Sequence, residues 1–438
     1  MEFIGFLSRL QFGLTASYHI IFPTLLIGLS TFLSFLYWRW LRTNNEVYHE
    51  SYQLWLRVLL IIYVVGAITG VALSTQIDSV FGKFYSTVDD ALTPFRHYEL
   101  ILAVLLEGGS IGVMFLCTRN KRSYKRFAAT LVFNFGILVT AFFVISRNSW
   151  MNTPAGFEWV DGLAIATNTL DIVFNPSFPL RYIHMITAGL LASAFFVIGI
   201  SAYQLLKEKQ HHIALQNIRF GIIAAAVLSI MQIVIGDLHG LNVYEHQPMK
   251  VAALEGHWDT EQGAGFVLFG IPDDELEMNR HEVKIPYALS LLLEHDTKAT
   301  VKGLKEIPQQ DRPNVAISFY SFRIMLTMAF LMLFTALTGL WLLRRGNIQN
   351  RTGFLRWSVL MLPSGLLAVI TGWTAAETAR QPWVVYNMLR TSQSLTADSS
   401  GQVMFSLVVF LIGYTLLTLA TVYCLQRVIN QNRFCYTP

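Results

Sequence analysis

The sequence predicts an all-α polytopic membrane protein. Of its 438 residues, 53% are hydrophobic and only 14% are charged, whereas a soluble domain of this size carries about 25% charged residues. Several apolar stretches exceed the roughly 20 residues needed to cross a bilayer. The chain is therefore expected to lie in lipid, and its net charge of +4 serves membrane topology and does not indicate a nucleic-acid partner.

Apolar windows predict about nine transmembrane helices. They lie near residues 12–38, 53–75, 96–118, 127–146, 181–206, 217–236, 317–343, 354–373 and 402–425. The first window is too long for a signal-peptide core and lacks a small-residue cleavage site, so we expect it to remain as the first span. This divides the chain into helices 1 to 6 (1–236), an extracytoplasmic loop (237–316) and helices 7 to 9 (317–438).

Short basic connections orient the predicted bundle. They read "WRWLR", "RNKRSYKR", "KEKQHH", "RRGNIQNR" and, in the tail, "LQRVINQNR". The positive-inside rule places them in the cytoplasm, with the N-terminus outside and the C-terminus inside. Cys117, Cys424 and Cys435 lie at inner helix ends or in the tail and form no CxxC pair, which fits a reducing compartment.

The connections on the other side have a different character. Residues 147–180 are rich in Trp, Asn, Pro and Phe, which is typical of an interfacial segment. The segment from Asp237 to about Val315 is the long hydrophilic region of the sequence. Its aromatic and glycine content predicts partial order, and loops of this length are usually functional or disordered.

Six ionisable or coordinating side chains fall near or within the predicted spans. They are His19, Glu99, Glu107, His184, Met325 and Glu377. Five of them are expected in the outer half of the membrane and the sixth, Glu107, nearer its middle. Each alone is compatible with packing or an interfacial position, but ionisable residues in a membrane are expensive and usually paired or functional. Their shared level indicates a common cofactor.

Haem iron is the cofactor that would use these residues jointly. A His and Met ligand pair favours a low-spin electron-transfer haem, whereas a single His or Glu leaves a position open for oxygen. Arg323, two residues before Met325, and Arg380, three after Glu377, can pair with haem propionates. Trp373 and Glu377 share a helix face at i,i+4.

Glu99 and Glu107 suggest a proton path. On a regular α-helix they would be separated by roughly 12 Å of rise and about 80° of rotation. Buried carboxyls with raised pKa values can relay protons near neutral pH. We therefore expect this pair to carry protons inward to a reduction site.

The chain resembles subunit I of the cytochrome bd-type quinol oxidases over essentially its whole length. The resemblance is carried by "RLQFGLTASYHIIFP", "RYIHM", "GDLHG" followed by "MKVAALEGHW", "SFRIM" and "GWTAAETARQPW". Each motif is short, but their order and spacing together are specific. The resemblance implies a terminal oxidase in the bacterial cytoplasmic (inner) membrane.

The resemblance also implies a set of haem residues. His184 and Met325 match the axial ligands of a low-spin haem b. His19 and Glu377 match ligands of two high-spin haems, one of type b and a third of type d or b. Trp373 matches a tryptophan between the haems.

Further positions match residues of the proton and quinol sites. Glu99 and Glu107 correspond to carboxylates at the oxygen-reducing pair and its proton route. Lys250 and Glu255 correspond to the outer quinol-binding loop, and Arg323 to a haem-stabilising arginine. The implied partners are ubiquinol or menaquinol, O2, a second large subunit (subunit II) and often a small accessory membrane subunit.

The implied activity separates charge without a pump. Quinol is oxidised at the outer face, where Glu255 accepts a proton and Lys250 steers the head group, and oxygen is reduced to water with cytoplasmic protons. Two departures stand out: Ala379 precedes Arg380 where the family usually has glycine, and the loop has the short form. The short-loop class includes cyanide-insensitive oxidases, some of which carry only b-type haems.

Three other readings remain open from the residues alone. A proton-coupled transporter would use Glu99 and Glu107, but the sequence shows no inverted repeat. A di-haem electron carrier expects paired histidines on facing helices, and no His-x12–14-His spacing occurs within a span. A haem-copper oxidase needs several intramembrane histidines around copper.

Overall fold

The computed structural model describes residues 2–116, 122–209, 211–395 and 400–430. Within these residues nine helical segments are long and apolar enough to cross a membrane, which confirms the predicted architecture. The helices are α1 (Glu2–His19), α2 (Ile21–Thr43), α3 (Glu46–Val80), α4 (Gly82–Leu102), α5 (Gly109–Leu116), α6 (Tyr124–Asn152), α7 (Thr169–Val173), α8 (Phe178–Leu206), α9 (His211–His246), α10 (Pro248–Glu255), α11 (Ala288–Glu294), α12 (Val315–Arg344), α13 (Thr352–Leu360), α14 (Ser364–Thr378), α15 (Thr391–Ser394) and α16 (Ser400–Ile429). Cys424 is an exposed free thiol on α16, while Cys117 and Cys435 lie outside the described residues.

Several helices are longer than their apolar windows predicted. The third span begins at Gly82 rather than near residue 96. The window 96–118 predicted Glu99 near the start of this helix, and that prediction is wrong, because Glu99 lies well inside it. The sixth span continues to His246 rather than ending near 236, and α6 continues to Asn152. The helical hydrogen bonding continues past each apolar window, which hydropathy alone does not detect.

Prolines interrupt two of the spans. The first span consists of α1 and α2, with a break at Ile20. Pro23 has no N–H to donate to the carbonyl of His19, so the helix cannot run through this point unchanged. Pro363 separates α13 from α14 in the same way. Of these sites, the break at Ile20 directly follows the candidate ligand His19.

A π-helix, Ala103–Gly108, joins α4 to α5. Its hydrogen bonds run to the fifth residue rather than the fourth, which widens the turn and changes the direction of the side chains. The rise and rotation predicted for Glu99 and Glu107 on a regular α-helix are therefore wrong. Glu107 lies within the π-helix and is buried.

Helix α8 occupies the centre of the bundle. In its apolar window 72% of the residues are buried, compared with 6% in α16. Small residues allow neighbours to approach closely: a Cβ at Gly28 on α2 would lie 2.3 Å from the Ser193 Cβ, and one at Gly365 on α14 would lie 2.4 Å from the Ala192 Cα. The candidate ligand His184 is thus carried by the most enclosed helix.

Three antiparallel hairpins and a short strand pair lie in the connections. The strands are β1 (Phe157–Val160), β2 (Leu163–Ala166), β3 (Glu261–Gln262), β4 (Phe266–Asp273), β5 (Met278–Ile285), β6 (Thr300–Val301), β7 (Trp383–Val385) and β8 (Leu389–Arg390). They pair as β1–β2, β3–β6, β4–β5 and β7–β8. The segment between α9 and α12 is therefore folded, with α10 leading into β3 to β6.

Candidate functional site

Glu377 lies in the last turn of α14 among polar side chains from other elements. The Asn148 amide nitrogen donates a hydrogen bond to Glu377 Oε1 at 2.9 Å, and the Arg380 guanidinium donates to Oε2. Arg181 Nη1 donates a hydrogen bond to Asn148 Oδ1 at 3.4 Å. The carboxylate at the end of α14 is therefore held by α6 and by the segment that follows α14.

Lys250 extends this arrangement towards α10. Its Nζ donates to Asn152 Oδ1 at 2.8 Å, and the Asn152 amide donates to the Asn148 carbonyl at 3.0 Å. Arg181, Arg380 and Lys250 are 7%, 5% and 3% exposed. We call Glu377, Asn148, Asn152 and these three cations the Glu377 network.

The Glu377 network carries more positive than negative charge. Arg380 Nε and Nη1 and Arg181 Nε are buried and have no hydrogen-bond partner. Burial lowers the pKa of the Lys250 amine well below its ordinary value, and the positive charge of Arg181 lowers it further. Buried cations are costly unless they are paired, so this arrangement suits an anionic group.

Glu99 meets the same helix that supports Glu377. Arg147 on α6 forms an ion pair with Glu99, and the next residue, Asn148, donates to Glu377. Two carboxylates from distant parts of the chain are thus held by consecutive residues of α6. Sequence reasoning assigned no role to either α6 residue, because it placed both in a connection.

Glu107 has a neutral partner instead. Thr140 Oγ1, also on α6, donates to Glu107 Oε1 at 2.7 Å. The side chain is 5% exposed, and the π-helix turns it towards α6. A buried carboxyl without an arginine beside it is suited to carry a proton.

His184 faces one side of α9. The Gln232 amide nitrogen lies 3.2 Å from His184 Nε2, and a Cβ at Gly236 would lie 3.4 Å from its Cε1. The His239 ring lies beside it, with the ring centroids 5.2 Å apart. Gln232, Gly236 and His239 follow one another at i, i+4 and i+7, so α9 presents them on one face; we call them, with His184, the imidazole stripe.

Met325 lies against α14. A Cβ at Gly372 would come 2.9 Å from the Met325 sulfur, so the glycine leaves room for the thioether. Trp373, the next residue, packs against a buried apolar cluster that includes Met185 and Val369. The methionine and histidine candidates are therefore carried by helices that both adjoin α14.

His19 lies at the end of α1 and faces α3. Its Nδ1 is 2.9 Å from Thr69 Oγ1, and a Cβ at Gly70 would lie 3.2 Å from its Cε1. The next residue, Ile20, packs against the same apolar cluster as Trp373. That cluster thus lies between the elements that carry His19, His184 and Glu377.

Arg323 and Glu255 form a buried ion pair. Arg323 Nη2 lies 2.7 Å from Glu255 Oε2, its Nε donates to the Val267 carbonyl at 2.9 Å, and its Nη1 has no hydrogen-bond partner. Burial raises the pKa of the Glu255 carboxyl, and the charge of Arg323 opposes part of that rise. The arginine expected beside a haem thus pairs with the residue expected at the quinol site.

Comparisons with known proteins identify the family of this chain. The family described as "Cytochrome bd terminal oxidase subunit I" matches residues 7–433. This chain belongs to that family.

Individual relatives match over nearly the whole chain. The "Cytochrome bd ubiquinol oxidase subunit 1" of Bacillus subtilis (strain 168) is 30% identical, covering 97% of this chain and 93% of the relative. The "Cytochrome bd-II ubiquinol oxidase subunit 1" of Escherichia coli (strain K12) is 28% identical, covering 96% and 95%. The bd oxidase structure from Geobacillus thermodenitrificans matches with a TM-score of 0.92 and 28% identity, covering 98% of this chain and 99% of that one.

Haem, the group implied by a cytochrome family, fits the residues present. The candidate ligands are two imidazoles, a thioether and a carboxylate. Imidazoles and thioethers bind haem iron in proteins, and the carboxylate is an anionic oxygen donor like the tyrosine ligand of some haem proteins. The unpartnered guanidinium nitrogens of Arg181, Arg323 and Arg380 are suited to carboxylates such as haem propionates. The chain therefore has side chains suited to bind haem iron and positive charges suited to balance the haem propionates.

Partners of the predicted residues were missed by sequence reasoning. They are Thr140, Arg147, Asn148, Asn152, Gln232 and His239. The α6 residues had a weak signal, because polar residues continue directly from an apolar helix in "VISRNSW". His239 stood within the quoted motif "GDLHG" but had no assigned role, since its partner lies on another helix.

Proposed function

We propose that this chain is the haem-carrying subunit of a quinol oxidase that oxidises quinol at the outer face and reduces O2 to water. The observation that carries the proposal is the Glu377 network, in which one carboxylate lies among three buried basic side chains, two of them arginines with unpartnered nitrogens. Membership of a terminal oxidase family and relatives named as ubiquinol oxidases support the substrate assignment.

The candidate ligands divide into two types. His184 and Met325 would hold a low-spin haem b, and His19 and Glu377 would each hold a high-spin haem, one of type b and the other of type d or b. Haem supplies one-electron transfer and oxygen chemistry when bound. The protein contributes ligands, counter-charges and an enclosed setting, with Trp373 packed against the apolar cluster that contains Met185 and Val369.

Two carboxylates are placed to move protons from the cytoplasm. Glu107 is buried and bound to Thr140, whereas Glu99 is paired with Arg147 next to the residue that holds Glu377. In this order Glu107 takes up the proton and Glu99 passes it to the reduction site. Protons taken from inside and released from quinol outside generate a proton motive force without pumping.

Lys250 and Glu255 frame the quinol site from the two ends of α10. The raised pKa of Glu255 suits a group that accepts a quinol proton. Arg323 balances the carboxylate before it takes up the proton and again after it releases it. Lys250 joins the quinol loop to the Glu377 network through Asn152. The helix that carries Met325 also carries Arg323, so the quinol loop directly contacts a candidate ligand helix.

The membrane setting follows from the family and the charge pattern. We place the chain in the bacterial cytoplasmic membrane with the N-terminus outside, the C-terminus inside and the haem-binding residues near the outer face. The partner is the second large subunit, often joined by a small accessory subunit. The mostly exposed window of α16 offers lipid- or partner-facing surface.

Quinol-dependent oxygen uptake by the purified complex tests the proposal. Wild type should consume oxygen with quinol and show haem in a pyridine haemochrome assay. His184→Ala should remove the native low-spin spectrum and most of the uptake, whereas Met328→Leu, one turn from Met325 on α12, should leave both unchanged. Haem-loaded wild type that consumes no oxygen with any quinol would refute the oxidase.

The other readings are less well supported. The structure does pair two histidines on facing helices, His184 and His239, but one pair cannot serve the two haems of a di-haem carrier. The described residues contain no group of three or more His, Cys, Asp or Glu side chains that could hold a bare metal ion, as a copper centre would need. A proton-coupled transporter leaves the thioether and imidazole placements unexplained.

A further inference from the structure

His239 is a partly buried imidazole that the proposed mechanism does not use. It lies on α9, one helical turn beyond Gly236 on the side nearer α10 and Lys250. Its ring packs beside His184, the candidate ligand of the low-spin haem. Its Nε2 is buried and has no hydrogen-bond partner, and a buried ring nitrogen of this kind costs free energy unless it finds one.

The two rings are not placed to share an iron. Imidazole nitrogens bind metals at about 2 Å, so two rings on opposite sides of one iron stand roughly 6 Å apart between centres. The His184 and His239 centroids are 5.2 Å apart, with the ring planes inclined by 52°. His239 therefore lies alongside its neighbour, close to any haem that His184 would hold.

The edge of a haem offers one kind of strong acceptor, the propionate carboxylates. The nearby basic side chains make this end of α9 suitable for them: Arg181, one turn before His184 on α8, has an unpartnered Nε, and Lys250 is buried at the start of α10. The imidazole N–H, the guanidinium and the amine together form a donor set for carboxylate.

We infer that His239 donates a hydrogen bond to a propionate of the low-spin haem and thereby raises the reduction potential of that haem. The inference depends on the proposed function, because it needs haem on His184. His239 is here a positioning residue. A hydrogen-bond donor partly neutralises the propionate, so that its negative charge stabilises the oxidised iron less and the reduced state is favoured. Hydrogen bonds in the outer shell tune metal centres in this way.

Three variants of the intact purified complex test the role. His239→Phe keeps a ring but removes the nitrogens, and His239→Gln keeps an N–H donor. The control is His246→Phe, two turns further along α9, where the native Nδ1 already lies 2.9 Å from the Asn242 carbonyl. The measurements are haem content, midpoint potential of the low-spin haem by spectroelectrochemistry, and propionate bands in redox-difference infrared spectra.

We expect the midpoint potential to fall in His239→Phe, to stay near that of wild type in His239→Gln, and to be unchanged in His246→Phe. The propionate bands should shift in His239→Phe alone. If His239→Phe loses the low-spin haem while His239→Gln keeps it, the donor role is also supported.

Three results would overturn the inference. The first is an unchanged potential and unchanged propionate bands in haem-loaded His239→Phe. The second is an equal loss of potential or haem in the Phe and Gln variants, which indicates packing. The third is conversion of the low-spin haem to high-spin in His239→Phe with full haem content, which would make His239 an axial ligand. Failure of the proposed function is distinct, because wild type would then lack the low-spin haem or the oxidase activity.

Discussion

The two best-defined regions of the site are built in opposite ways. Around Met325 and His184, glycines at 372 and 236 leave room against the ligand side chains. Around Glu377, charged and amide side chains from α6, α8 and α10 surround a carboxylate. The first region is defined by space and the second by charge.

This difference indicates what each region tolerates. A space-defined site should be sensitive to added volume and less so to a change of charge nearby. A charge-defined site should tolerate small changes of shape but not loss of its counter-ion, because each buried cation must be balanced. Variants that add volume at one region or remove charge at the other test this contrast.

Glu377→Ala should have the largest effect. It leaves the buried Arg380 and Arg181 without their carboxylate. Removing one partner of a fully buried ion pair costs about 3–5 kcal/mol, and we expect a smaller cost here because the Glu377 side chain is 33% exposed. We expect little assembled complex and a reduced haem-to-protein ratio. Glu377→Gln keeps the shape and should assemble better while still losing the haem held at this position. Wild-type haem content in Glu377→Ala would contradict a charge-defined site.

Gly372→Ala should perturb the space-defined site. The new methyl would lie 2.9 Å from the Met325 sulfur, and overpacking of this kind costs about 1–3 kcal/mol. We expect part of the low-spin spectrum to become high-spin. Gly413→Ala on α16 is the matched control, since nothing lies within 4 Å of its added Cβ. Identical low-spin spectra in the two variants would refute the role assigned to this glycine.

The ion pair between Arg323 and Glu255 should show strong coupling. A double-mutant cycle with Glu255→Gln and Arg323→Gln should give an interaction energy within the usual range of about 0.5–3 kcal/mol for contacting residues, measured by thermal unfolding and quinol KM. The exposed pair Lys305 and Asp259 should give no more than about 1 kcal/mol. Equal coupling in the two pairs would show that burial adds nothing.

Lys250 should contribute a smaller, pH-dependent effect. Its amine has a folded-state pKa well below the ordinary 10.5, so below pH 10.5 the unfolded chain binds a proton that the folded chain resists. Stability should therefore fall as pH decreases from about 10.5 towards the folded pKa. Lys250→Met should flatten this slope. Thermal unfolding scans of wild type and the variant, in otherwise identical preparations between pH 7 and 10, measure the difference.

The nine spans could be predicted because hydropathy reports burial in lipid directly. Helix ends and breaks were harder: Pro23 and Pro363 signalled the breaks, but the π-helix around Glu107 has no comparable single-residue signature. The candidate ligands stood out as costly residues in apolar helices. Their partners did not, because Asn148 or His239 acquires meaning only when a distant helix packs against it.

The pairing of Arg323 illustrates the same limit. Its sequence position beside Met325 suggested a haem propionate, yet the side chain binds Glu255 from α10. Proximity along a helix constrains where a long side chain begins and not where its guanidinium ends. Only the packing of α10 against α12 decides the partner.

The proposed function requires that side chains from separate helices bind haem iron in one enclosed region of the bundle. The direct measurement is an experimental density map of the purified complex with its bound haems. We expect iron within about 2–2.5 Å of ligand atoms of His184, Met325, His19 and Glu377, with the propionates near the buried arginines. A map in which these side chains point away from every haem would contradict it.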